Sequence, residues 1–111
     1  MAPSKYRSRK TVVDGITFHS KKEAARYSEL KLLEKAGVIK GLHLQPRFKI
    51  KIGGIQLRFD SGRKVTYIAD FQYLDVEADT FVVEDVKGYR TRDYKLKKAM
   101  MRAMGIEITE T

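Results

Sequence analysis

Hydrophobic residues recur with a helical period in two segments of the chain. The first follows Ser20, which lies three residues before Glu23 at the spacing of a capping box, and it ends where Gly37 follows Ala36. One face of this predicted helix carries Tyr27, Leu30 and Leu33. Glu23 points to the same side, so its carboxylate either caps the helix or has a function inside the fold.

The second helical segment begins after Thr91, a favourable N-cap residue, and reaches about Met104 before Gly105 ends it. The predicted core stripe consists of Leu96, Ala99, Met100, Ala103 and Met104. The opposite face carries Lys95, Lys98 and Arg102. These cations either contact phosphate or form the solvated face of an ordinary amphipathic helix.

Strand patterns occupy most of the remaining chain. Alternation over residues 47–52 puts Phe48, Ile50 and Ile52 on one side, and glycine-containing turns separate further apolar runs. The predicted strands are a hairpin at 12–18 that turns at Asp14-Gly15, then residues 47–52, 55–59, 64–74, 81–88 and 106–108. This order predicts an α+β (α/β) fold with a single mixed, mostly antiparallel sheet flanked by helices, built as helix, three-to-four-strand meander, helix and strand.

The composition favours one domain that binds a polyanion. The 111 residues suffice for a single core, predicted over residues 11–111, and 23 Lys+Arg against 14 Asp+Glu give a net charge of +9. Nucleic acid is the commonest such partner, and membrane binding is not expected because the apolar runs are short. Residues 1–10 are predicted to form a basic flexible arm, whose cations either contact phosphate or only solubilise the chain. These cations are Lys5, Arg7, Arg9 and Lys10.

Missing residue types exclude several chemistries. The chain has no cysteine, which rules out disulfides, thiolate zinc sites and cysteine nucleophiles. Gly53-Gly54 precedes a strand pattern and not a helix, so a phosphate-binding P-loop is also excluded.

Residues 1–10 lack the apolar stretch of a secretory signal, which favours a cytoplasmic protein, in the host cell if a virus encodes it.

Three residues on two predicted strands point to phosphodiester chemistry. Asp70 follows an apolar run, while Asp85 and Lys87 stand two residues apart on the next strand and face the same side. Two carboxylates on neighbouring strands suit a hard cation such as Mg²⁺, with Mn²⁺ as the alternative ion. Lys87 adds positive charge beside that cation. Together these groups supply the polarised phosphate, activated water and charge compensation that hydrolysis requires.

The acidic motif has three parts: Glu23, Asp70 and Asp85-Val86-Lys87, which lie in the segments FHSKKEA, YIADF and VEDVKG. It resembles the motif of the restriction-endonuclease-like PD-(D/E)XK nuclease superfamily, and especially its small phage-encoded endonucleases. The resemblance implies that Asp70, Asp85 and Glu23 bind the metal, together with the Val86 carbonyl, and that Lys87 orients or activates water. Ala69 stands where the superfamily name records proline, and Asp85 replaces the commoner glutamate, so the motif is less specific here.

The sequence thus predicts a Mg²⁺-dependent endonuclease that cuts DNA. A chain of 111 residues has little surface for reading a long sequence, so we expect selection of branched or junction DNA, with a homodimer cutting two strands. The alternative is a non-catalytic nucleic-acid-binding module with the same fold. A ribosome-associated basic protein would not need inward-facing acids, and Asp70 with Asp85 argues against it.

Overall fold

The fold combines helices and strands, and a computed structural model describes it for residues 10–87 and 89–111. In this part of the chain the elements are β1 (Thr11–Val13), β2 (Ile16–Phe18), α1 (Lys21–Lys35), β3 (Ile39–Leu44), β4 (Arg47–Lys49), β5 (Lys51–Ile52), β6 (Ile55–Gln56), β7 (Thr66–Ile68), β8 (Phe71–Asp75), β9 (Thr80–Asp85), α2 (Arg92–Ala103) and β10 (Ile108–Glu110). The mixed α+β class predicted from the sequence is confirmed.

Both helices begin at the predicted caps. The Ser20 hydroxyl accepts a hydrogen bond of 3.1 Å from the backbone N–H of Glu23, and the Thr91 hydroxyl accepts one of 3.0 Å from that of Tyr94. These bonds satisfy backbone donors that the first turn of a helix leaves free. Neither helix is long and apolar enough to cross a membrane.

The strands divide among four sheets in the described part of the chain, so the expectation of one sheet is wrong. The main sheet has the order β10-β9-β8-β3, in which β8 runs antiparallel to both neighbours and β10 runs parallel to β9. The pairs β1-β2, β4-β7 and β5-β6 form separate two-stranded ribbons. The predicted strand 64–74 breaks at Ala69 and Asp70, which lets β7 and β8 join different sheets.

Two hydrophobic clusters lie on opposite sides of the main sheet. The first joins α1 to β3 and β8 and contains Phe18, Ala24, Tyr27, Leu30, Ile39, Phe71 and Tyr73. The second joins the ribbons to α2 and β10 and contains Ile50, Val65, Tyr67, Ala69, Val83, Met101 and Ile108. The main sheet is therefore covered on both sides, as the predicted architecture requires.

The predicted core face of α2 is wrong at Leu96, Ala99 and Ala103, which are exposed, and is confirmed at Met100 and Met104, which pack against the second cluster. Leu96 is 57% exposed, and the residue that is fully buried is Met101. Apolar residues occupy most positions near the C-terminal end of α2, so more than one face of this helix shows a helical apolar period. The sequence pattern therefore does not distinguish the face of Leu96 from the face of Met101. The half-buried Lys97 and Lys98 lie on the inward side, where their aliphatic stems can cover apolar surface. Ile52 was likewise predicted to face inward but is 62% exposed in the β5-β6 ribbon.

Candidate active site

The two strands β8 and β9 bring Asp70 and Asp85 to the same end of the main sheet. Phe71 pairs with Glu84, Asp70 directly precedes Phe71, and Asp85 is the last residue of β9. Lys87 follows Asp85 by two residues. The three residues therefore lie close together in the structure, as the sequence predicted. Gly88, the predicted end of the strand, lies outside the described residues.

Backbone hydrogen bonds fix both aspartates. The N–H of Asp70 donates to Asp85 Oδ1 over 3.1 Å, and the N–H of Val86 donates to Asp70 Oδ2 over 2.7 Å. Each carboxylate is therefore held by the backbone of the other strand. Asp85 is only 2% exposed, and its Oδ2 atom is buried without a hydrogen-bond partner in the described part of the chain. Such an atom is costly unless a cation or a donor approaches it.

Burial makes these carboxylates hard to ionise. Burial raises the pKa of Asp85 to about 6, and Lys87 offsets part of this rise. The Lys87 Nζ atom lies 3.7 Å from Asp85 Oδ2. Burial also raises the pKa of Asp70, although the Val86 N–H and Lys87 oppose the change. A bound cation would favour the ionised form of both groups.

Glu23 reaches the same site from the first turn of α1. Burial raises the pKa of Glu23, and the nearby charges of Asp70 and Asp85 raise it further. The start of α1 is also tied to the strand end, because Lys22 Nζ donates a 2.8 Å hydrogen bond to the Lys87 carbonyl. The Ser20 hydroxyl caps α1 through the Glu23 backbone N–H, and the Glu23 carboxylate lies within electrostatic reach of both aspartates.

His19 is a neighbour of the site that the acidic motif does not include. Its charge acts to lower the pKa of both Glu23 and Asp70, which places the imidazole within electrostatic reach of these carboxylates. The signal available in the sequence was its position directly before the cap of the Glu23 helix.

Two carboxylates of this site are the candidates for holding a metal ion. In residues 10–87 and 89–111, no group of three or more His, Asp and Glu side chains is arranged to hold a metal ion. Mg²⁺ is, however, usually bound by one or two carboxylates with water completing its shell. Asp70 and Asp85 are the two carboxylates available to such an ion, and Lys87 Nζ already lies 3.7 Å from Asp85 Oδ2. The predicted contribution of the Val86 carbonyl stays a prediction. The predicted role of Glu23 as a third ligand stays a prediction.

Lys87 is held by residues that the sequence did not single out. Its Nζ atom lies 3.9 Å from the centroid of the Tyr94 ring. The Tyr94 hydroxyl donates a 2.7 Å hydrogen bond to Glu110 on β10. Arg90 and Lys98 also pair with Glu110, at 2.7 and 3.1 Å. Hydrogen bonds from Arg90, Tyr94 and Lys98 lower the pKa of Glu110 to about 2, so it remains ionised.

Glu84, beside Asp85 in the chain, points to the opposite side of β9, as its sequence position predicts. It is fully buried and accepts hydrogen bonds from Arg26 at 2.7 and 2.9 Å, from Tyr73 at 2.7 Å and from Thr111 at 3.1 Å. Burial alone would raise the pKa of Glu84, but the bonds from Arg26 and Tyr73 outweigh it and lower that pKa. A carboxylate with all its partners inside the fold has a structural role.

The predicted phosphate-binding residues differ in whether they are exposed or paired with a carboxylate. Lys10 is exposed, whereas Lys5, Arg7 and Arg9 lie outside the described residues. On α2, Lys98 pairs with Glu110 at 3.1 Å and Arg102 pairs with Glu107 at 2.9 Å, while Lys95 is exposed. Much of the positive charge on this helix is therefore neutralised within the protein.

Comparison with known proteins identifies a family. No curated protein and no solved structure matches the chain. One family model, described as "Protein of unknown function (DUF1064)", matches residues 3–111, which is almost the whole sequence. The chain belongs to this DUF1064 family.

Proposed function

We propose that this protein is a metal-dependent endodeoxyribonuclease. The observation that carries the proposal is the convergence of Asp70, Asp85 and Lys87 at one end of the main sheet, with a buried Asp85 oxygen that has no hydrogen-bond partner in residues 10–87 and 89–111. The net charge of +9 suits a polyanionic substrate. The resemblance of the acidic motif to PD-(D/E)XK nucleases supports the same reaction.

In this proposal the roles of the side chains follow from their positions. Asp70 and Asp85 would hold Mg²⁺, or Mn²⁺ in its place, and the ion would supply a Lewis acid for the phosphate and for the attacking water. Lys87 places its ammonium group 3.7 Å from Asp85, where it can neutralise charge that grows on the phosphate oxygens. Glu23, with its raised pKa, is positioned to accept a proton near the same carboxylates.

The substrate proposed is branched or junction DNA. A chain of 111 residues offers little surface for a long recognition sequence, and a homodimer would present two sites to two strands. The resemblance to phage-encoded endonucleases favours a phage origin and action in the host cytoplasm.

Cleavage assays test the proposal. Labelled single-stranded, duplex, flap and four-way-junction DNA are incubated with Mg²⁺ or with EDTA, using the wild type and Asp85→Ala. We expect cleavage only with metal and only by the wild type, with DNA binding retained in the variant because a charge near phosphate is removed. Glu77→Ala is the matched control, since this exposed carboxylate lies in the turn between β8 and β9, at the other end of these strands from the site. Full activity of Asp85→Ala would refute the assignment.

A non-catalytic nucleic-acid-binding module is the second candidate. It is favoured by the absence of a three-ligand metal group in residues 10–87 and 89–111. Tight DNA binding without cleavage of any substrate, with Mg²⁺ or Mn²⁺ present, would select this function.

A further inference from the structure

A basic cleft lies beside the β4-β7 ribbon, away from the cations singled out by the sequence. The cleft has a volume of about 630 Å³. Its lining includes five cations, Arg47, Lys49, Arg63, Lys64 and Lys97, together with Phe59. Four of the cations come from the ribbon and its connecting loop, and Lys97 comes from α2.

The charge of this cleft is largely uncompensated. No ion pair between residues of the described part of the chain involves Arg47, Lys49, Arg63 or Lys64. Lys97 pairs with Asp93 only at 3.8 Å. The neighbouring charge of Lys49, followed by burial and by Arg58, lowers the pKa of Lys64. Crowded cations of this kind repel one another until an anion binds.

The basic stripe of α2 provides a contrast. Lys98 and Arg102 are held by Glu110 and Glu107 at 3.1 and 2.9 Å. A phosphate that approached these two residues would have to compete with a carboxylate already in contact. The ribbon cleft offers cations without such competition.

The cleft borders a depression that includes Lys87 of the candidate active site. A neighbouring depression of about 310 Å³ shares Thr66 and Lys97 with the cleft and is also lined by Lys87 and Tyr94. It is further lined by Tyr67, whose buried hydroxyl has no hydrogen-bond partner in residues 10–87 and 89–111. A linear polyanion that extended from the cleft past Thr66 and Lys97 would reach Lys87, with Asp93 as the acidic residue lining the same depression.

We propose that this cleft binds the phosphodiester backbone of a nucleic-acid strand and guides it toward Lys87. This inference extends the proposed nuclease function, and it depends on that function only for the cleavage of the bound strand. Phe59 favours nucleic acid over other polyanions, because its ring is 48% exposed in the cleft and bases stack on aromatic rings. Proteins that bind single strands commonly combine a basic groove with such rings.

A binding assay in EDTA tests this inference with the full chain and without cleavage. The test variant is Lys49→Ala/Lys64→Ala, and the matched control is Lys98→Ala/Arg102→Ala, which removes the same charge from α2. Fluorescence anisotropy with a labelled DNA strand and its duplex is measured across a series of salt concentrations. Thermal melting confirms that both variants fold.

We expect the test variant to bind DNA about tenfold or more weakly, and the slope of its salt dependence to fall by about 0.7–0.9 for each phosphate that the variant no longer neutralises. The control should lose markedly less affinity. Equal losses in the two variants, a larger loss in the control, no binding by the wild type, or preferential binding of anionic vesicles would overturn the inference. Binding that follows this pattern without metal-dependent cleavage would overturn only the nuclease function.

Discussion

The ammonium group of Lys87 and the ring of Tyr94 form a cation–π contact, with Nζ 3.9 Å from the ring centroid. The Tyr94 hydroxyl is bonded to Glu110, which also pairs with Arg90 and Lys98. The position of Lys87 is therefore set by α2 and β10 as well as by its own strand.

Replacing Tyr94 should impair cleavage through Lys87. Tyr94→Leu removes the ring, whose contact with a partly buried cation is worth about 0.5–2 kcal/mol, so we expect a loss of roughly 2- to 30-fold in kcat. Tyr94→Phe keeps the ring and loses only the bond to Glu110, so its loss should be smaller. The measurement is kcat and KM on the preferred DNA substrate.

A purely structural role for Tyr94 would give a different pattern. In that case Tyr94→Phe and Tyr94→Leu would lower activity only as far as they lower the melting temperature, and the pH profile of kcat would keep its shape. A changed basic limb of the profile in Tyr94→Leu would indicate that the ring acts through the Lys87 ammonium.

Without metal, the stability of the protein should fall as the pH rises from about 5 to about 7, because the lowered pKa values of Glu84 and Glu110 act in the opposite direction only below this interval. The pKa of Asp85 is about 6 in the folded protein and 3.8 in its ordinary state, so the folded protein binds more protons between these values. The resulting stabilisation is fully present below the ordinary pKa and is lost as the pH passes through about 6. Melting temperatures in EDTA across this interval measure the effect.

Asp85→Asn is the control for this dependence. The variant should flatten the pH profile and melt at a higher temperature than the wild type at about pH 8, because it lacks the buried charge. Asp70 and Glu23 also have raised pKa values, so part of the dependence should remain. A wild-type stability that rises over the same interval would contradict the prediction. Mg²⁺ should raise the melting temperature of the wild type and not that of Asp85→Asn.

Arg26→Met should destabilise the fold through the buried Glu84. The substitution leaves a carboxylate that is 0% exposed without its cation, and we expect a loss of about 2–4 kcal/mol in the free energy of unfolding. This lies below the full range for a buried pair because the Arg26 side chain is 24% exposed. Urea denaturation measures the loss.

The double variant Arg26→Met/Glu84→Gln completes a mutant cycle. It should be more stable than Arg26→Met alone, because the uncompensated charge is gone. If the double variant were less stable by the sum of the two single losses, the two side chains would be energetically independent.

Local signals predicted both helices and the proximity of Asp70, Asp85 and Lys87, while the roles of these three residues stay predictions. The Ser20 cap and the Gly37 stop define α1, and the two-residue spacing of Asp85 and Lys87 places both on one side of their strand. Strand β3 was missed because Gly41, with a φ of 64°, and the exposed residues around it interrupt any apolar alternation. Its partner β8 is a distant segment, which local propensity does not specify.

The binding surfaces could not be predicted from the chain alone. Lys98 and Arg102 look identical in sequence to unpaired cations, and only the fold brings Glu110 and Glu107 to them. Conversely, Lys49 and Lys64 are distant in the sequence, and pairing of β4 with β7 is what gathers them in one cleft. The charge and the sequence spacing of basic residues do not determine which of them remain available to bind phosphate.

Phe59→Ala should weaken binding of single strands more than binding of duplex. Base stacking on an aromatic side chain is worth about 1–3 kcal/mol, so we expect a loss of roughly 5- to 150-fold for a single strand. Paired bases are already stacked on one another and should gain little from the ring. The Arg63 guanidinium lies 5.4 Å from the centroid of this ring, so Arg63→Lys is tested separately to identify any effect transmitted through the cation. Anisotropy titrations in EDTA measure both ligands, and equal losses for single strand and duplex would show that Phe59 only supports the shape of the cleft.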